Sequence, residues 1–141
     1  MTLPARSSTL YALVAYLYSA LASSSVQVHG MELPAGWTLR KAALLLPDGG
    51  AADTGLPMVE ERFTVHSYGA NWQDAIAVDL LVFGALHRAA HAKQAVVSGV
   101  GTIYIPTAYR VMGPISMRDP GTEWPRVTSA YMVTLSEWVA Q

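Results

Sequence analysis

Eleven consecutive residues, Met58 to Tyr68, alternate between two faces, and no other stretch of the chain restricts its fold as tightly. Val59, Glu61, Phe63, Val65 and Ser67 fall on one side; Glu60, Arg62, Thr64, His66 and Tyr68 fall on the other. Successive strand side chains point to opposite sides of a sheet, whereas a helical period would scatter these residues around a cylinder. A strand of this length needs neighbouring strands to satisfy its backbone, and its apolar face needs a covering layer.

Two segments have the periodicity of such a cover. Leu10, Leu13, Val14, Leu17 and Leu21 follow the i, i+3, i+4, i+7 spacing of a helix with one buried face. Ser7 and Ser8 are in position to cap its start, and Ser23-Ser24-Ser25 ends it. A second helix is predicted from about Trp72 to about Lys93, opened by Asn71 and Asp74, with Ile76, Leu80, Phe83 and His87 continuing one face. Val26 and Val28 suggest a short strand. Ala42 to Leu46 reads as a strand buried on both faces, Val100 to Ile105 alternates, and Val127 to Leu135 alternates again with Val127, Tyr131, Val133 and Leu135 together. Pro47 to Pro57 (PDGGAADTGLP) is expected to be a loop. So is GPISMRDPGTEWP, where Pro114, Pro120, Gly121 and Pro125 argue against regular structure. The order of elements implies an α+β fold: an antiparallel or mixed sheet with two main helices packed on one face, in a single domain of 141 residues.

Composition narrows the function classes. Hydrophobic residues make up 52% of the chain and charged ones 13%, against roughly 25% charged in an average soluble domain. So thin a coat of charge implies surface covered by another protein, hence an oligomer. The formal net charge is −1 and the nine basic residues are scattered, so no basic stripe for nucleic acid is expected. Cysteine is absent, which excludes disulfides, thiolate metal sites and a cysteine nucleophile. Leu10 to Ala22 is apolar, but it falls short of the ~20 residues of a membrane span. Arg6 and Ala20-Leu21-Ala22 admit a signal-peptide reading, which the helical periodicity opposes.

Recognisable catalytic patterns are missing. His87 and His91 have i, i+4 spacing, yet the segment HRAAH has Arg88 where a zinc protease would carry its glutamate, and no third ligand is near. His66 and Ser67 are neighbours on a strand and face apart, as do Glu60 and Glu61. The glycines form neither a phosphate loop nor a dinucleotide fingerprint. We therefore expect no catalytic residue, metal or cofactor. Two places invite an assembly role. One is the acidic, glycine-rich segment Asp48 to Leu56, with Asp48, Gly49, Gly50 and Asp53. The other is the strand face carrying Glu60, Arg62 and Tyr68, since charged strand faces can set the register between subunits.

Three segments together resemble the tail terminator, or tail-completion, proteins of long-tailed bacteriophages. These are the N-terminal helix over Ser8 to Ala22; ERFTVHSYGANWQDAIAVDLLVFGALH from Glu61 to His87, a strand, a Gly-containing turn and a helix; and PISMRDPGTEWPRVTSAYMVTL from Pro114 to Leu135, with DP, then WPR, then a final alternating strand. The resemblance implies a non-enzymatic virion subunit, assembled in the host cytoplasm. Its copies would form a ring, commonly a hexamer, on the last tail-tube ring, stopping tail growth and presenting the surface that joins the head through a connector or neck protein. An acidic loop facing the channel would repel DNA and let it slide. The alternative from another class is a secreted or periplasmic ligand-binding module, with residues 1 to 22 as signal peptide and a pocket lined by Trp37, Tyr104, Tyr109 and Trp124.

Overall fold

The computed structural model describes residues 5–34, 41–50, 58–97 and 101–136. Helix α1 covers Ala5–Leu21 and runs through a 3₁₀ turn at Ala22–Ser24 into strand β1, Gln27–Gly30. Strand β2 is Ala42–Gly50, β3 Met58–Tyr68, and helix α2 Trp72–Ala92. A small hairpin follows, β4 Gln94–Val97 and β5 Gly101–Tyr104, then β6 Thr107–Arg118 and β7 Pro125–Ser136. The main sheet has the order β1-β2-β3-β7-β6, with β1 and β2 parallel and every other pair antiparallel. This is a mixed sheet in an α+β fold, as the alternation and its interleaved helices imply.

Both helices cover one face of this sheet. Leu13, Leu17 and Leu21 of α1 and Val78, Val82 and Leu86 of α2 join Val28, Ala43, Leu45, Phe63, Val65, Tyr131, Val133 and Leu135 in one buried cluster. The alternation assigns these strand residues to a common side, and the register agrees, since Leu45 pairs with Val65 and Phe63 with Tyr131. Burying this apolar surface is the main force holding the layers together. The α1 face read from its leucines therefore belongs to the core. Among the tyrosines of that helix, Tyr16 donates its hydroxyl to the Ala85 carbonyl of α2 at 2.8 Å, tying the two helices together.

Local chemistry sets the helix boundaries. Asn71 accepts a hydrogen bond from the Asp74 amide at 2.8 Å and caps α2. Gly69 sits so close to this first turn that a Cβ there would lie 2.5 Å from the Ala75 nitrogen. Lys93 closes α2 in the left-handed conformation. Ser7 and Ser8 lie inside α1, which begins before them at Ala5.

Three further expectations about the elements need correction. Asp48, Gly49 and Gly50 belong to β2, where Gly50 pairs with Glu61 across an irregularity after Pro47, so the expected loop begins later; Asp53 and the rest of residues 51–57 lie outside the described residues. The proline-rich stretch is strand as far as Arg118, while Asp119 to Trp124 forms the expected bend-rich connection. Gly113 and Pro114 sit at the register shift between Met112 and Ile115, β6 is the edge of the sheet, and an edge or bulge is where a residue without an N–H is tolerated. Gly113 has φ +106°, and a Cβ there would stand 2.8 Å from the Thr128 carbonyl oxygen, which accounts for the glycine. Lastly, Ile76, Leu80, Phe83 and His87 form the outward face of α2; its buried face is Ala75, Val78, Asp79, Val82, Ala85, Leu86 and Ala89.

Candidate assembly surface

Both helices lie on one side, and the opposite face of the sheet carries no helix among the described residues. A polar band crosses it near the β2–β3 end. Arg62 on β3 pairs with Asp48 on β2 at 3.1 Å, and Thr64 donates to the same carboxylate at 3.1 Å. Glu60 accepts from Thr134 of β7 at 3.5 Å, and Thr134 accepts from Thr107 of β6 at 2.8 Å. The band therefore spans four strands. Asp48, Glu60 and Arg62, reached separately from the sequence, are brought together there because β2 runs antiparallel to β3 and stays extended beyond Pro47.

Tyr68 stands apart, six residues or about 20 Å along the strand from Arg62. It was expected on the exposed face, but it is buried beneath Trp124, with Ala42 and Leu44 as buried neighbours. Its hydroxyl donates to Asp119 at 3.4 Å, and burial raises its pKa. Asp119 organises this end of the sheet. It accepts from the Thr122 amide and hydroxyl, at 3.2 and 2.8 Å, and pairs with Arg126 at 3.1 Å. Burial alone would raise the Asp119 pKa, but the Thr122 hydrogen bonds and the Arg126 charge outweigh it and hold the carboxyl below the usual range. Beside it, His66 contacts Thr128 Oγ1 through Nδ1 at 2.9 Å. Burial lowers the His66 pKa, with Arg126 acting the same way and Asp119 opposing.

The helix side holds a second polar cluster that no sequence pattern announces. Asp79, buried in the core face of α2, accepts from Arg110 of β6 at 3.1 Å and from Ser129 of β7 at 2.8 Å. Arg110 also donates to the Tyr131 hydroxyl at 3.0 Å, and its guanidinium lies 4.6 Å from the centre of the Phe83 ring. These bonds engage both oxygens of the carboxylate, so the cluster reads as a brace between α2 and the β6–β7 edge. Its only sequence trace is a single acid in an otherwise uncharged helical stretch, from Ala75 to His87.

Among the described residues no group of three or more His, Asp or Glu side chains is placed to hold a metal. His87 stacks on Phe83. Of the four aromatics proposed as a pocket, Trp37 lies outside the described residues, and Tyr104 and Tyr109 are exposed. Trp124 packs on Tyr68, and Tyr109 pairs with Met132, six residues along β7 from the Arg126 that pairs with Tyr68. The three described residues do not converge.

No protein-family model matches the sequence, and neither does any curated protein. The fold is similar to that of a chain in a solved structure described as the virion of a native gene transfer agent particle. The two are 16% identical with a TM-score of 0.56, and the likeness covers 90% of this chain and 91% of that one.

Proposed function

We propose that this chain is a structural subunit of a phage-like virion, a single tail-terminator-like domain whose copies form a ring, a hexamer in our reading, at the head-proximal end of the tail. In that position it ends tail-tube polymerisation and offers the head-joining surface to a connector or neck protein. The observation that carries the proposal is the fold likeness to a virion chain over nine-tenths of both chains. The helix–strand pattern and the segments Glu61 to His87 and Pro114 to Leu135 support the narrower terminator reading. Such a part works by occupying a place in an assembly and needs no reacting group. The polar band of Asp48, Glu60 and Arg62 serves in this reading as a contact on the open sheet face, where paired charges set orientation more than affinity.

Deleting the gene from its phage or particle system tests the proposal. Electron micrographs should then show tails of unregulated length and heads that fail to join, both restored by supplying the chain in trans. Normal tails and normal titre without it would overturn the reading.

A further inference from the structure

The edge of the sheet at β6 carries an apolar surface that is exposed among the described residues. Arg118 lies over the Trp72 ring at 5.6 Å, and Arg110 over the Phe83 ring at 4.6 Å. These two contacts hold α2 alongside β6 and place the outward residues Ile76, Leu80 and Phe83 beside the strand edge. On the open face of the same edge, Tyr109, Ile115 and Met117 stand opposite Met132, Thr128 and Arg126 of β7. All six are 40–59% exposed. Charge is nearly absent: from Ala75 to His87 the only charged residue is Asp79, from Thr107 to Met117 it is Arg110, and these two are paired with each other.

At the opposite edge two large apolar side chains are exposed among the described residues. Gly30 of β1 packs against Leu10 and Val14 of α1. One helical turn beyond Val14 is Tyr18, and directly after β1 is Met31, both 60% exposed. The two edges thus expose unlike apolar side chains on opposite sides of one sheet.

We infer that the β6–α2 flank is the docking surface for a second copy of this chain, which meets it head to tail with its β1–α1 flank. Two observations select that occupant. Taking roughly 150–250 Å² for a large side chain, the six residues expose on the order of 600 Å², most of the ~800 Å² per partner in a stable interface. With Asp79 and Arg110 paired to each other and Arg118 lying on an aromatic ring, the surface also offers little field to attract an oppositely charged partner, whereas it matches other apolar side chains of the same molecule. Unlike flanks on opposite edges generate a ring when the rotation closes. Gly113 and Pro114 interrupt the β6 edge, so the contact is made by side chains and not by prolonging the ladder. The inference specifies the contact within the ring reading above and can fail without it.

Size-exclusion chromatography with light scattering on three forms of the full chain tests it. The wild type should run as an oligomer larger than a dimer. Ile76→Asp/Leu80→Asp and, separately, Tyr18→Asp/Met31→Asp should each run as monomers while keeping the wild-type circular dichroism and Tm within a few degrees. An equimolar mixture of the two variants should form a one-to-one dimer, because each retains the flank that the other lacks. A wild-type ring that persists in Ile76→Asp/Leu80→Asp would leave the ring reading standing and overturn this contact. A Tyr18→Asp/Met31→Asp variant that dimerises alone would overturn the head-to-tail geometry, and a monomeric wild type would overturn both. Should the aspartates unfold the chain, Leu80→Gln and Tyr18→Gln keep the test open, with weaker self-association expected from each and unchanged association counting against the contact.

Discussion

Asp79 is where a single side chain carries the most structural consequence. Its carboxylate joins Arg110 and Ser129 across two elements with almost no access to water. Truncating one member of such a pair strands the other's charge and hydrogen-bonding groups, which typically costs 3–5 kcal/mol. Arg110 keeps some solvent contact, so Asp79→Ala should cost about 3 kcal/mol in urea unfolding, and Asp79→Asn clearly less. Equal losses in the two variants would mean that side-chain volume matters there and the ion pair does not. His66 gives a pH signature. Its pKa is depressed in the folded chain, so its contribution to stability is full above the unfolded value of 6.5 and is lost as pH falls through the lower folded value. The Tm advantage of wild type over His66→Gln should therefore shrink from about pH 8 to about pH 5. A constant difference across that range would contradict the depressed pKa.

At the scale of elements, α1 provides a clean test because its buried face is built from a few leucines. Leu17 is fully buried within the common core, and Leu17→Ala removes three buried carbons that its neighbours can replace only partly. The expected loss is about 2–5 kcal/mol by thermal or denaturant unfolding. A loss below ~1 kcal/mol would mean that α1 is not held on the sheet as described. By contrast, the β6 edge derives its irregular course from Gly113 and Pro114, and it is the element that sequence patterning misjudged most.

For the whole molecule, the open sheet face and the β6–α2 flank are predicted to matter for assembly and little for folding. The Arg62–Asp48 pair is substantially exposed, and exposed pairs contribute about 0–1 kcal/mol. Arg62→Glu should thus melt close to wild type. In the terminator reading it should also fail to restore infectivity to particles lacking the chain. Full complementation by Arg62→Glu would remove the polar band from the assembly surface and leave the two lateral flanks as its main candidates.

The amino-acid sequence by itself determined β3 to the residue, the final strand nearly so, both helices, the α+β class and the residues on each face of the long strand. These follow from local periodicity, which records whether a side chain meets core or water every second or every fourth residue. It also singled out Asp48, Glu60 and Arg62 as candidates, though as two unrelated places. Only the tertiary structure decided that β2 extends through Asp48 to meet Arg62, that Tyr68 lies under Trp124, and that Pro114 sits within an edge strand. Tertiary packing likewise chose which apolar face of α2 turns inward. Both faces are apolar, one through Val78, Val82 and Leu86 and the other through Ile76, Leu80 and Phe83, so periodicity alone was ambiguous. Asp79 settles it: a buried carboxylate is tolerated only where a cation and a hydroxyl meet it, and β6 and β7 supply Arg110 and Ser129 at that one rotation of the helix.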